Sequence, residues 1–395
     1  MYGASMSDRT YLDWNATAPL RPEARAAVEH ALKVGGNPSS VHGEGRAARQ
    51  LVEAARERVA ALANAEPRNV IFTSGGTEAN MMALTPGLRA PGTGNGGCNR
   101  LLVSAIEHPS VLSGGRFAAD AIEVLPATRR GMVDLGELQR RLAVVPGPVL
   151  VSIMGANNET GIVQPIAEAA EIVHVAGGLL HVDGVQLAGR MQLDINRIGV
   201  DLVTLSAHKI GGPQGAGALI RREEALEFGA PLIRGGGQER GLRAGTENVA
   251  AISGFGAAAV AAKRDLRAET TRLRALRERL EAGLLAIASG TVIFGQDAER
   301  VPNTLLFATP GIKAETALIA LDLDGIAVSS GGACSSGKVT PSHVLAAMGV
   351  SPELAHGAIR ASFGYSTQER DIDRLLQGWR SRVEALAIRK QGIAA

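Results

Sequence analysis

Three places in the sequence carry residue types and spacing that could do chemistry. Lys209 follows an apolar run, Leu202 to Leu205, and the polar residues Ser206 and His208; two glycines and a proline come almost at once after it. A lysine at the carboxyl end of a buried strand loses hydration, which lowers its pKa toward the neutral amine that a Schiff base needs. The competing reading is a lysine whose stem lies on apolar surface with its head in water. Asp183 ends a second apolar run, Leu179 to Val182, with Gln186 just beyond. A carboxylate there needs a cationic counterpart, because an unpaired buried charge is costly. Three partners come into question: an arginine of the core, a metal shared with His181 on the same strand face, or a protonated pyridine nitrogen. The third place is VIFTSGGTEAN, Val70 to Asn80, which reads as a strand, a Gly-rich turn and a helix opening at Thr77-Glu78. N–H groups at a helix start together with a hydroxyl form a phosphate cup, whereas a plain N-cap role for Thr77 is the structural alternative.

Taken together, these parts match one chemistry. Pyridoxal phosphate is held by a lysine that forms the imine, a carboxylate that keeps the ring nitrogen protonated and helix-end donors on the phosphate. The metal reading lacks further His, Cys or carboxylate ligands at metal-site spacing, so no metal is expected. Gly92, Gly94 and Gly97 satisfy a G-x-G-x-x-G pattern, but they follow Pro91 and lead into a strand, opposite to a dinucleotide fold. GGPQGAGA, Gly211 to Ala218, lacks the Lys-Ser/Thr ending of a P-loop.

The elements that must position these residues are legible as short apolar runs: Val70 to Thr73, Leu101 to Ser104, Val149 to Ile153, Leu179 to Val182, Leu202 to Leu205 and Ala216 to Ile220. Longer segments between them, such as Pro165 to Ala176, can hold helices. The alternation predicts an α/β fold with a mainly parallel sheet flanked by helices, its functional groups beyond the carboxyl ends of the strands. From about Ala257 to Ala288 a long Ala/Leu/Arg/Glu helical pattern leads into further elements at Leu305 to Phe307 and Ala317 to Leu323, and then into a loop, Ser329 to Lys338. With 395 residues the chain exceeds the roughly 250 to 300 residues that one core usually serves. The expected division is a large cofactor-binding domain over 21–256, and a smaller α+β domain made of 1–20 and 257–395.

Lys plus Arg (41) nearly balance Asp plus Glu (39), so no global field attracts nucleic acid or an anionic membrane. No apolar run is long enough to span a bilayer. The two cysteines, Cys98 and Cys334, supply no disulfide framework, and the start of the chain lacks a secretory pattern. A small-molecule substrate and a cytoplasmic location are expected. Ala90 to Asn99 reads as a surface loop, in which Cys98 is poorly suited to be a buried hydrophobe and is given no role.

In ten ordered segments the chain resembles the class V aminotransferase group of fold type I, and within it the cysteine desulfurases of the NifS/IscS type. The segments are YLDWNATAP, GNPSSVHGEG, FTSGGTEAN, EHPSV, ANNETG, HVDGVQ, SAHKIGGPQG, RGLRAGTEN, VSSGGACSSG and IRASFG. The resemblance implies conversion of L-cysteine to L-alanine, with the sulfur passed to a persulfide on Cys334 and then to an acceptor protein for iron–sulfur cluster assembly or thiolation. It implies that Lys209 carries pyridoxal 5'-phosphate, Asp183 meets the ring nitrogen, Gln186 donates to the ring's phenolic oxygen and His108 stacks on the ring. Gly76, Thr77, Ser206 and His208 would bind the phosphate, with Thr246 reaching it from the other subunit of a homodimer. Asn158 and Arg360 would hold the substrate carboxylate. Three departures stand out. Gly184 replaces an alanine whose methyl is expected under the cofactor, Lys338 adds a basic residue after the cysteine, and the ending EALAIRKQGIAA lacks the extended tail that engages an iron–sulfur scaffold. An aminotransferase, a selenocysteine lyase and a non-catalytic scaffold are the competing readings, and the last would have lost Lys209, Asp183, Gln186 and His108.

Overall fold

The structure is a computed structural model, which describes the backbone of residues 9–90, 96–332 and 341–393. Cys334 and Lys338 lie outside the described residues. The six expected strands are all present, most of them longer by a residue: Val70–Thr73, Arg100–Ser104, Val149–Met154, Leu179–Asp183, Leu202–Ser206 and Gly217–Arg221. A seventh, Ile122–Leu125, completes their sheet at one edge. It escaped the sequence reading because only Leu125 is buried, Val124 is exposed, and the charged Glu123 interrupts the apolar run.

From one edge to the other the sheet runs Val70–Thr73, Gly217–Arg221, Leu202–Ser206, Leu179–Asp183, Val149–Met154, Arg100–Ser104 and Ile122–Leu125. Gly217–Arg221 is antiparallel to both of its neighbours, and the other pairs are parallel. Central strands covered on both faces must be apolar throughout, which is why they read as continuous runs rather than as alternation. The parallel register sets Met154 beside Asp183 and Asp183 beside Thr204, so three strands end together on one side.

A 39-residue helix, Val249–Ile287, begins earlier than the expected Ala257 and passes unbroken through the expected boundary at 256/257. Its first half buries Ala251, Ile252, Phe255, Ala258, Ala259 and Ala262 in the core beneath the large sheet, and its second half buries Leu273, Leu276, Leu280 and Leu284 in a separate core. The start was misplaced because this stretch is Gly/Ala-rich and lacks a leucine stripe. Close packing explains the composition: a Cβ on Gly256 would lie 2.7 Å from Ala55 Cα of the helix Gly43–Leu62. The second core is backed by a four-stranded antiparallel sheet in the order Ser329–Ser330, Ile359–Ser362, Thr304–Ala308, Val292–Ile293. Phe307 and Trp379 meet edge to face within it, ring centroids 5.0 Å apart.

Cys98 corrects the sequence reading. It is 1 % exposed and packs among Met82, Leu84, Leu88 and Leu101. An antiparallel bridge between Leu88 and Cys98 draws the stems of the supposed surface loop into the core, which the Gly/Asn neighbours in sequence do not reveal. Burial, with the charge of Asp201, pushes its thiol up to about 12. Iodoacetamide at pH 8 is therefore expected to leave Cys98 unmodified in the native protein and to alkylate it in denaturant, as read by peptide mapping; native labelling of Cys98 would contradict this packing.

Candidate active site

A cavity of about 480 Å³ opens at the carboxyl ends of the central strands, a size suited to a cofactor with its substrate. It is lined by Gly76, Thr77, His108, Asn158, Asp183, Gln186, Ser206, His208, Lys209 and Arg360. Thus all but two of the residues singled out in the sequence converge on one space. Cys334 lies outside the described residues, although Ser330, Gly331 and Gly332 of the same segment border the cavity. Thr246 lies in a separate depression with Ser74, Glu239 and Arg243.

The cup forms where the strand Val70–Thr73 turns into the helix Gly76–Ala83. Gly75, not Thr77, is the N-cap, and no side chain caps this end, so the plain N-cap reading of Thr77 is overturned. The turn sits directly on Gly217, where a Cβ would fall 2.5 Å from the Gly75 carbonyl carbon. Thr77, Ser206 and His208 face the open helix end. His208 Nδ1 meets Thr17 Oγ1 at 3.1 Å, and burial, helped by the charges of Lys209 and Arg190, lowers its pKa to about 4.

Lys209 Nζ donates to the carbonyls of Asn15 (2.5 Å) and Ala16 (2.8 Å). Burial is the main reason that its pKa falls to about 7, and the nearby guanidinium groups of Arg190 and Arg360 add to it. Near neutral pH a large fraction is therefore the free amine, as Schiff-base chemistry requires. Asp183 is 5 % exposed. Its Oδ2 accepts from Asn80 Nδ2 at 2.9 Å and its Oδ1 from the Val185 N–H at 3.0 Å. Among the described residues no lysine or arginine pairs with it. His181 is not turned toward a ligand, for its ring nitrogens meet Ser152 Oγ (2.8 Å) and Thr204 Oγ1 (3.2 Å). Gln186 Nε2 donates to Asn15 O at 3.1 Å, while its Oε1 is buried with no partner.

Arg360 is held from both sides, Nη1 by the Asn158 carbonyl (2.9 Å) and Nη2 by Asp13 (2.7 Å), while its buried Nε has no partner. A fixed guanidinium beside the cavity suits a carboxylate ligand. Gly184 behaves differently from the expectation. A Cβ there would point at Val203 Cγ1 (2.9 Å) and Leu205 Cδ2 (3.3 Å), into the core and not into the cavity. The missing methyl is therefore a matter of strand packing.

Further polar residues in or beside the site were not singled out, although they lie in the quoted segments: Asp13 and Asn15 in YLDWNATAP, Asn80 in FTSGGTEAN and Ser110 in EHPSV line the cavity, and Glu107 in EHPSV and Glu159 in ANNETG lie beside it. Glu107 is fully buried, with Oε1 accepting from the Met154 N–H at 2.6 Å and Oε2 unpaired. Burial first, and the charge of Asp183 second, push its carboxyl well above the usual range. Glu159 accepts from Ser342 Oγ at 2.5 Å and is raised by burial to about 7, with Ser342 and Arg360 pulling the other way.

The residues present fit pyridoxal phosphate: a depressed amine, a buried carboxylate without a cationic side-chain partner, and an uncapped helix start converge on one cavity. The sequence matches the family described as Aminotransferase class-V over residues 10–375. The chain belongs to this family. Within the class-V aminotransferases it is 42 % identical over 376 residues to a cysteine desulfurase of Cereibacter sphaeroides, covering 94 % of each chain. It is 40 % identical over 386 residues to the cysteine desulfurase IscS of Dictyoglomus turgidum, covering 96 % of each. The structure of a NifS-like protein from Rickettsia africae superposes with a TM-score of 0.84 at 35 % identity, covering 94 % of this chain and 99 % of that one. The large sheet and flanking helices are therefore the fold type I architecture expected from the resemblance, and class-V aminotransferase membership makes the chain a pyridoxal-phosphate-dependent enzyme.

Proposed function

We propose that the chain is a cysteine desulfurase, which takes the sulfur of L-cysteine onto Cys334 and releases L-alanine. The observation that carries this is the convergence of the Lys209 amine, the Asp183 carboxylate and the Gly76–Thr77 cup on one cavity, in a chain with full-length relatives named cysteine desulfurase. Bound pyridoxal phosphate supplies a sink for negative charge at the substrate α-carbon. Gly76, Thr77, Ser206 and His208 would hold its phosphate, Asp183 would meet its ring nitrogen, and Gln186 and His108 would contact the ring. Arg360 and Asn158 fix the substrate carboxylate. The Lys209 amine would hold the cofactor covalently and, as the base nearest the substrate, would remove the α-proton and return a proton nearby. The Cys334 thiolate attacks the substrate sulfur. A sulfur–sulfur bond forms as the carbon–sulfur bond breaks, its electron pair goes to the substrate β-carbon, and protonation there completes alanine. The balance is one cysteine and one thiol giving one alanine and one persulfide.

Thr246, which does not line its own chain's cavity, supports a homodimer in which it completes the partner's phosphate site. The persulfide then goes to an acceptor protein, an iron–sulfur scaffold or a thiolation enzyme. Among the described residues no helix is long and apolar enough to cross a membrane, which agrees with a cytoplasmic setting. The division into 21–256 against 1–20 and 257–395 is part of the same proposal, with the long helix as the element shared between the two parts.

The test replaces Cys334 with alanine. The Cys334→Ala protein is expected to keep the visible band of bound cofactor while sulfide release from L-cysteine with a thiol reductant falls to background. Sulfide release at the wild-type rate would sink the persulfide route, and wild-type protein that makes no alanine from cysteine would sink the desulfurase reading itself.

A further inference from the structure

Asn80 belongs to the FTSGGTEAN segment, but nothing in the proposed chemistry uses it. It is 1 % exposed and lies three residues after Thr77 on the helix Gly76–Ala83, hence on the same face one turn below the cup. Its side chain is fully engaged. Nδ2 donates to Asp183 Oδ2 at 2.9 Å and to Ser110 Oγ at 2.9 Å, and Oδ1 accepts from Thr204 Oγ1 at 2.5 Å.

The direction of the bonds from Asn80 through Thr204 and His181 to Ser152 follows from the charge on Asp183, since a carboxylate only accepts. The nitrogen of Asn80 must therefore face Asp183, and its oxygen must face Thr204. The Thr204 hydroxyl hydrogen is spent on Asn80, so Thr204 Oγ1 accepts from His181 Nε2–H, and His181 Nδ1 accepts from Ser152 Oγ–H. On the other branch, Ser110 Oγ accepts from Asn80, and because the Ser110 backbone N–H makes His108 Nδ1 an acceptor, the hydroxyl hydrogen turns to that nitrogen, 2.8 Å away. The Ser110 backbone N–H also donates to that nitrogen, at 3.2 Å. With two donors aimed at Nδ1, neutral His108 carries its proton on Nε2, and a second proton on Nδ1 would be turned against the Ser110 N–H. The charged and titratable groups facing His108 are Asp183, Lys209 and His343.

We propose that Asn80 is a positioning residue of the site, which orients the Asp183 carboxylate and, through Ser110, fixes His108 as the neutral Nε2–H tautomer. A single helix then sets the phosphate cup, the carboxylate for the ring nitrogen and the protonation form of the ring-stacking histidine. His108 can donate one proton from Nε2 and is restrained from taking up a second at Nδ1. The inference deepens the proposed site chemistry, and the contact to cofactor depends on that reading, while the tautomer does not.

The experiment uses the full chain with nitrogen-15-labelled histidine, first without and then with pyridoxal phosphate, and assigns the His108 signals by difference from His108→Gln. Wild type and Ser110→Thr are expected to show the Nε2–H form. Ser110→Ala removes the hydroxyl donor and is expected to raise the His108 titration midpoint by about one pH unit, the worth of one neutral hydrogen bond. Asn80→Ala is expected to raise it as well and, in loaded protein, to shift the pH midpoint of the cofactor's visible band by more than Ser110→Ala does, because only Asn80 also touches Asp183. Should Asn80→Ala fail to fold, Ser110→Ala still decides the tautomer branch. An Nδ1–H signal in wild type, or an unchanged His108 midpoint in Ser110→Ala, overturns the proposal. Absence of any cofactor band would instead refute the cofactor reading and leave the histidine result standing.

Discussion

Lys209→Ala protein is expected to lose turnover of L-cysteine by roughly 10³-fold or more, because one side chain serves as both the covalent holder of the cofactor and the base at the α-carbon. The same residue makes a prediction about stability that needs no turnover. In the folded chain without cofactor its pKa is about 7, against 10.5 for an unperturbed lysine, with burial as the main cause. Between those two values the unfolded chain holds the proton that the folded chain has released. The lysine therefore opposes folding fully below about pH 7, and the penalty fades as pH rises toward 10.5. Cofactor-free Lys209→Met should be more stable than cofactor-free wild type near pH 7, with the gap closing at alkaline pH, as measured by urea unfolding. Equal stabilities across this range would mean that the amine is not desolvated. Reduction of the loaded protein with borohydride followed by peptide mapping should place the cofactor on the Lys209 peptide.

Asp183→Asn is expected to lower kcat by about 10² to 10³-fold or more, the scale on which removing one preorganised electrostatic partner acts. The geometry makes this substitution more disruptive than its size suggests. Asp183 accepts two N–H bonds, from Asn80 and Val185, and an amide has only one acceptor oxygen. If that oxygen stays with Val185, the new NH2 meets the NH2 of Asn80; if it turns to Asn80, it leaves the Val185 N–H unsatisfied. The visible band of the Asp183→Asn protein should titrate differently from wild type, and its affinity for pyridoxal phosphate should fall. A variant with wild-type kcat and an unchanged band would show that the ring nitrogen does not rely on Asp183.

Much of this molecule is written locally. The six main strands are apolar runs because both faces of the sheet are covered, so burial appears directly in composition. Lys209, Asp183 and the Gly-rich turn stand out because each follows such a run, where an α/β fold gathers its chemistry. Local information fails where burial is decided by distant partners. Ile122–Leu125 is an edge strand with one outward face, so no apolar run marks it. The first half of the long helix is held by small residues fitted against two other helices, and spacing alone carries no sign of that fit.

The sequence by itself determined six of the seven strands of the large sheet, the family resemblance and the residue types that could hold a pyridine ring, a phosphate and a carboxylate. Only the tertiary structure decided that Cys98 is a core residue, that the Gly184 position points at Val203 and Leu205, and that Thr246 stands apart from the cavity of its own chain. It alone decided the protonation states that matter, because a pKa answers to what surrounds a group and not to its neighbours along the chain. Lys209 is brought near neutrality by burial beside Arg190 and Arg360, residues far from it in sequence or reached only through the fold. Likewise, the polarity of the bonds from Ser152 to Asn80 follows from one buried carboxylate, Asp183, which the parallel register brings beside Thr204, and that of the bond to His108 from the Ser110 backbone N–H.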